Sequence, residues 1–469
     1  MATRTIRAGL SCAAACALFS ILFASSAMNA EGPARIDMLA VIRELSVGSI
    51  FRYSFISADR LRQGTIEWQR PIPAQVRDMW SLGTENLLVL SEAEFPGDSR
   101  YSKLFRDTIS IFDPRGSILA QRPLGDYQLK DVRQSHNGSL VNVRAENDHD
   151  VLNIVTDFKG SSFLQIGYHA VLLPSWDGEY LIDMSARGSG KASRLVVDAG
   201  GRETEAAAAR LINKDGSIRE PGIASEFEEA SKGVLWAFDN DELLFSGCER
   251  GDRDCALTLY DARAGRTIWT REITQPMSLE AVCHDSARTQ DYVLMNATAN
   301  ERGVTSFVLA RTEGSIISET FGSIVHGSIG SSDGYFYSVF SEEPRFEQRP
   351  KHWFVLKHTP EFAIESFGVL CDFHSLHSMR LRGDYLYGIF ENCQIDGRNL
   401  RRVTAIFDMG KSSTPSGKRG HSMKCVVPVL LEGIWHIRDI SASTVELIGQ
   451  LDPEDGQLTK ITIQRSWLD

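Results

Sequence analysis

The chain has no CxxC or CxxCH pair, so it offers neither a thioredoxin-like redox centre nor a c-type haem attachment. It has no P-loop and no HExxH. No GxSxG elbow and no dinucleotide-binding GxGxxG stands in a strand–turn–helix context. The local signatures of nucleotide binding, zinc proteolysis and serine hydrolysis are therefore missing. It has no excess of base: 50 Lys and Arg face 61 Asp and Glu, a formal charge of −11. That argues against nucleic acid or an anionic membrane as the main partner. Acidic residues are scattered, so no carboxylate pair can be named. The one basic stretch, "GKSSTPSGKRGHSMK" (410–424), reads as a solvated insertion.

Beyond residue 30 no apolar run is long enough to span a bilayer. Residues 1–30 read as a secretory signal: Arg4 and Arg7, then the apolar Leu10–Phe23, then small residues with cleavage after Ala27 or Ala30. An uncleaved membrane anchor is the rival reading. With the signal removed, the protein is expected to be secreted or periplasmic, without a membrane span. Arg4 and Arg7 are the only charges in that segment, so the remainder falls from −11 to −13. Six cysteines remain, Cys248, Cys255, Cys283, Cys371, Cys393 and Cys425. An even number in an exported chain favours disulfides. Cys248 and Cys255 flank "ERGDRD" and are expected to staple a hairpin end. Cys371 and Cys393 are expected to pair across the strands around 381–390, which leaves Cys283 with Cys425. Spacing alone does not fix that connectivity.

What the chain does have is a repeat. "LTLYDARAGRTIWTREI" (257–273) reads as a strand, a turn with Asp261 and Gly265, and a strand carrying Trp269. Asp can bond its own backbone and Gly can take positive φ, which suits the turn. "TISIFDPRGSILAQRPL" (108–124) has the same order, with Asp113 and Gly116. "LNIVTDFKGSSFLQIG" (152–167) has Asp157 and Gly160, and "VTAIFDMGKSSTPSGKRG" (403–420) has Asp408 and Gly410. In "SFVLARTEGSIISETFG" (306–322) Arg311 replaces the Asp. "WFVLKHTPEFAIESFG" (353–368) loses both marker residues, and 51–72 looks like a degenerate copy. Another strand precedes each hairpin, with apolar starts near 87, 140, 180, 243, 292, 335, 385 and 445. The 180–243 interval contains "GRETEAAAARL" (201–211), read as a short helix.

The 257–273 copy resembles the repeat of PQQ-type β-propellers. The resemblance implies an all-β propeller spanning 36–469, with loop insertions near 199–232 and 410–424. Eight starts predict eight four-stranded antiparallel blades, with seven as the alternative, and N-terminal strands that complete the last blade and close the ring. A set of unrelated hairpins, as in two sandwiches, is the competing arrangement. The alcohol dehydrogenases of that group carry an adjacent cysteine pair that this chain lacks, and only Trp68 and Trp269 clearly stand at blade ends. Both departures argue against a quinone cofactor.

In a propeller the innermost strands line a channel. The polar residues expected on them are Arg77 with Asp78, Arg133, His169, His284, His326, His374 with His377, and His436. Neutral imidazoles bind transition metals, so His284, His326, His374 and His436 are the candidate metal ligands. The plainer reading is that a water-filled channel tolerates polar residues. "CDFHSLH" (371–377) and "HSMKC" (421–425) are weak local zinc motifs, because three-residue spacing on a strand puts neighbours on opposite faces. Two functions follow. One is a monomeric binding or scaffold module that meets protein partners through rim loops. The other is a metal-dependent oxidoreductase or lyase built on the channel histidines.

Overall fold

Leu87–Leu90 is apolar at every position, and every position is buried. A strand achieves that only when both faces of its sheet are covered. The computed structural model describes, with short gaps, residues 33–94, 105–166, 287–341, 352–410 and 424–468, and isolated strands between 172 and 274. Among these residues eight sheets share one order, four strands in an antiparallel meander. Sheet 1 holds Gln75–Leu82, Asn86–Glu94, Phe105–Phe112 and Ile118–Pro123. Sheets 2 to 7 follow along the chain, with first strands at Gln128–Gln134, Leu172–Pro174, Val234–Ala237, Ala287–Arg288, Ile324–Gly330 and Ser375–Arg382. Sheet 8 takes Trp435–Ile440, Thr444–Gly449 and Gln457–Gln464, and its fourth strand is the N-terminal Thr65–Pro71. The protein is all-β apart from short helices.

That N-terminal strand is held by a row of alternating charges across sheet 8. Arg438 lies 3.8 Å from Glu446, Glu446 lies 3.0 Å from Lys460, and Lys460 lies 2.6 Å from Glu67. Glu67 also accepts a hydrogen bond from Thr462 at 2.6 Å. Burial opposes its charge, yet the bonds from Lys460 and Thr462 hold its carboxyl below the usual range. Trp68 on the same strand lies against Gly116, and its indole N–H donates to the Pro114 carbonyl at 3.2 Å.

The chain forms two compact units. One comprises 1–60, 280–433 and 468–469, the other 61–279 and 434–467. The first holds sheets 5, 6 and 7, each with a fifth, parallel strand: Ala34–Asp37, Lys424–Val426 and Ser54–Ile56 respectively. Between the first and last of these, helix α1 (Met38–Gly48) buries Met38, Val41, Ile42 and Leu45 against Leu294, Phe340 and Phe354. The i, i+3, i+4, i+7 spacing makes that apolar stripe. Asp37 caps the helix, its Oδ1 accepting from the N–H groups of Leu39 and Ala40. In the second unit Leu88, Leu90, Ile109 and Ile111 of sheet 1 pack with Val141, Val143 and Ile154 of sheet 2.

Among the described residues the Asp–Gly turns form as their chemistry predicts, while 262–265, the turn of the 257–273 copy, lies outside them. Asp113 Oδ1 accepts from the N–H groups of Arg115 and Ser117, and Gly116 has φ +77°. Asp157 caps its turn through Ser161, and Asp408 through Gly410. Two expectations are overturned. The segment 201–211 is not one helix: Glu203–Thr204 and Arg210–Asn213 are strands, the latter paired with Tyr180–Asp183. The disulfides Cys371–Cys393 and Cys283–Cys425 do not form, because Cys393 and Cys425 stand as thiols. Cys393 pairs with Leu400 in sheet 7 and packs in an apolar cluster with Phe373, Phe390 and Ile395, whereas Cys371 pairs with His352 in sheet 6. Burial pushes the Cys393 thiol pKa up, so it is an inert core residue. Cys248 and Cys283 lie outside the described residues, and with them the Cys248–Cys255 pairing.

Candidate functional site

The first strands carry a shared irregularity. In six of the eight sheets one residue is left out of the pairing with the second strand: Arg77, Lys130, Leu235, His326, His377 and Arg438. Such a bulge re-aims a side chain, and it is common beside functional sites. Three of the candidates, Arg77, His326 and His377, occupy these positions. His326 and His377 stand on neighbouring strands of the first unit, where Gly327 lies against Leu376. His169, His284 and His374 lie outside the described residues.

His326 shares a hydrogen bond through Nε2 with Ser341 Oγ at 2.6 Å, and its ring lies 4.2 Å from that of Trp353. Burial lowers its pKa to about 4, so the ring is neutral at physiological pH. His436, in the second unit, is buried and bonds through Nε2 to Ser81 Oγ of sheet 1 at 2.8 Å. The Ser81 carbonyl in turn accepts from Gln134 Nε2 of sheet 2. The first strands of sheets 8, 1 and 2 are thus tied side chain to neighbour. The sequence reading missed Ser341, Ser81 and Gln134. Only their place on the strands facing these histidines could have flagged them.

Arg77 is 3.6 Å from Asp107 Oδ2, and Asp107 is buried on the third strand of its sheet. Burial raises the pKa of the Asp107 carboxyl, against the pull of Arg77. Arg133 is half-buried opposite Asn142 on the first strand of sheet 2. A further histidine, His358, is wholly buried on the third strand of sheet 6. Its Nε2 bonds Ser338 Oγ at 3.0 Å, its ring stacks on Phe362 at 3.9 Å, and burial lowers its pKa to about 4.

Among the described residues no three His, Cys, Asp or Glu side chains come together as a metal site. The "CDFHSLH" segment spans the end of one strand and the start of the next, so it is not one strand with ligands on two faces. Gly330–Gly334 spells G-x-S-x-G but is a hairpin turn, closed by the Ser331 N–H to Tyr335 carbonyl bond. It has no helix to present a nucleophile.

No described protein family matches the chain, and no curated protein matches it. Solved structures do. The C-terminal WD40 domain of Sif2 is 12% identical, with 85% of this chain and 99% of that one covered and a TM-score of 0.42. The β-propeller domain of the Trilobed protease from Pyrococcus furiosus is 12% identical over 74% of this chain and 98% of its own, with a TM-score of 0.41. Dihydro-heme d1 dehydrogenase NirN is 11% identical over 92% and 84%, with a TM-score of 0.42.

Proposed function

We propose that the eight meanders are the blades of one eight-bladed β-propeller, closed by Thr65–Pro71, and that the chain is an exported binding or scaffold module for protein partners. The order of the sheets along the chain and the pairing of Thr65–Pro71 with Gln457–Gln464 support the ring. The observation that carries the function is how the first-strand histidines are used. His326 and His436 spend Nε2 on serine hydroxyls within the fold. They serve as ties between strands, and recognition is left to loops and edges. Residues 1–30 would direct export to the periplasm or the medium.

Affinity capture from the source cell with the full chain, followed by reconstitution with the purified partner, tests this. A partner that rebinds at micromolar Kd or tighter is expected, and capture of nothing that reconstitutes overturns the reading. The bulge position shared by His326 and His377 favours the metal-dependent enzyme as second reading. Elemental analysis of the purified protein decides it: stoichiometric transition metal that is lost in His377→Ala favours the enzyme.

A further inference from the structure

In sheets 5 and 6 the added strand pairs with the fourth strand just after a bulge. Ala34–Asp37 lies along 318–321, directly after the left-out Ile317. Lys424–Val426 lies along 366–368, directly after the left-out Glu365. The fourth strand of sheet 1 has the same bulge, at Leu119. Among the described residues no strand lies beyond it. The neighbouring side chains differ accordingly. Ile317 and Ile364 are half-buried against the cluster around α1, whereas Ile118 and Leu119 are 47% and 44% exposed. Adjacent exposed aliphatics beside an open strand edge mark an interaction surface.

We propose that the edge Ala120–Arg122 takes a short, acidic, extended segment of a partner protein, added as a parallel strand. This rests on the binding-module reading and names where and what that module binds. Leu124 N–H donates to the Asp107 carbonyl, so alternation along the ladder turns Ala120 and Arg122 inward and the N–H and C=O of Gln121 outward. One outward residue serves a parallel strand twice, its N–H to one carbonyl and its C=O to a later N–H. Pro123 has no N–H and ends the edge. The added strand is therefore short, like the three-residue Ser54–Ile56 and Lys424–Val426.

Charge selects the occupant. Arg70 donates to the carbonyls of Gly116 at 3.1 Å and Arg115 at 3.3 Å, which brings it and Arg115 together at the turn from which the fourth strand of sheet 1 starts. Against these two guanidinium groups the turn sets one carboxylate, that of Asp113, whose Oδ1 accepts from backbone N–H groups. In a chain of charge −11 this local excess of guanidinium favours an acidic segment. The added strand of sheet 5 shows the same device with signs reversed, Arg35 lying 3.7 Å from Glu319.

The test selects a phage-displayed random peptide library on the immobilised full-length protein. Enriched peptides are expected to join acidic with apolar residues. Gln121→Pro removes the outward N–H and should weaken them about tenfold or more. Gln121→Ala loses only the side-chain bond to Ser110 and should bind like the parent. Leu119→Asp, an exposed change that keeps the backbone, should also repel them. Peptides that are basic, that ignore both Gln121→Pro and Leu119→Asp, or that never enrich overturn the proposal. So does a dimer in sedimentation that Gln121→Pro dissolves, which would give the edge to a second copy. A captured partner that binds Gln121→Pro undiminished overturns the edge while leaving the binding module intact.

Discussion

The turns at 113–117 and 359–363 join the third strand to the fourth in sheets 1 and 6, and their backbones close alike. Asp113 N–H donates to the Ser117 carbonyl and Gly116 N–H to Asp113; Thr359 N–H donates to Ala363 and Phe362 N–H to Thr359. The residues are unlike. Thr359 Oγ1 accepts from the Ala363 N–H where Asp113 does the capping, and Phe362 takes φ +67° where Gly116 takes +77°. A phenylalanine in the left-handed region is strained by about 1–2 kcal/mol. Its ring is buried against His358 and Phe340, which offsets that strain. The same turn can thus be set by local chemistry or imposed by packing.

Replacing the ring should separate the two modes most sharply. Phe362→Ala is expected to cost about 3–5 kcal/mol, read as a fall in the urea midpoint. Phe362→Gly should cost about 1 kcal/mol less than Phe362→Ala, because it relieves the backbone. Equal losses would mean that the turn is unstrained.

The stacked His358 supplies the next largest effect. Its folded pKa of about 4 lies below the 6.5 of an unfolded histidine. Its contribution is therefore complete above pH 6.5 and is lost as pH falls from there toward 4, because only the unfolded chain takes up the proton. About 3 kcal/mol should disappear across that window. His358→Gln should flatten that part of the stability–pH curve, and an unchanged slope would place the titration elsewhere, as at His326.

On the other turn, Gly116→Ala should cost about 2 kcal/mol, since a Cβ there combines positive φ with an approach of 2.8 Å to the Trp68 indole. Loss of the fluorescence signature of Trp68 packing would accompany it. Smallest of all, Asp113→Ala should cost about 1 kcal/mol and Thr359→Ala about half that in thermal melts. A larger loss at Thr359 would show that its turn is not carried by Phe362.

These comparisons show why some of the molecule was readable and some was not. Asp113 with Gly116, and Asp157 with Gly160, announce their turns because the cause lies within five residues. The turn at Phe362 has its cause in a ring stack, so its marker residues are gone. Helix α1 was not expected although Met38, Val41, Ile42 and Leu45 have helical spacing, because a repeat of strands gives a helix no place. The paired state of Cys371 and Cys393 depended on which sheet each joins, and spacing does not carry that. The first-strand positions of Arg77, Arg133, His326, His377 and His436 were legible from the repeat. Their partners were not, since Ser341, Ser81 and Gln134 meet them only through register.

The pairing of Thr65–Pro71 with Gln457–Gln464 brings together segments separated by nearly the whole chain. During synthesis the first of these emerges long before its mate exists, so the charge row from Arg438 to Glu67 forms last. Until then the strand that carries Trp68 has no sheet to complete. Removing either strand, Thr65–Pro71 or Gln457–Gln464, should therefore injure one and the same sheet, an unusual symmetry of damage for sites so distant in the sequence.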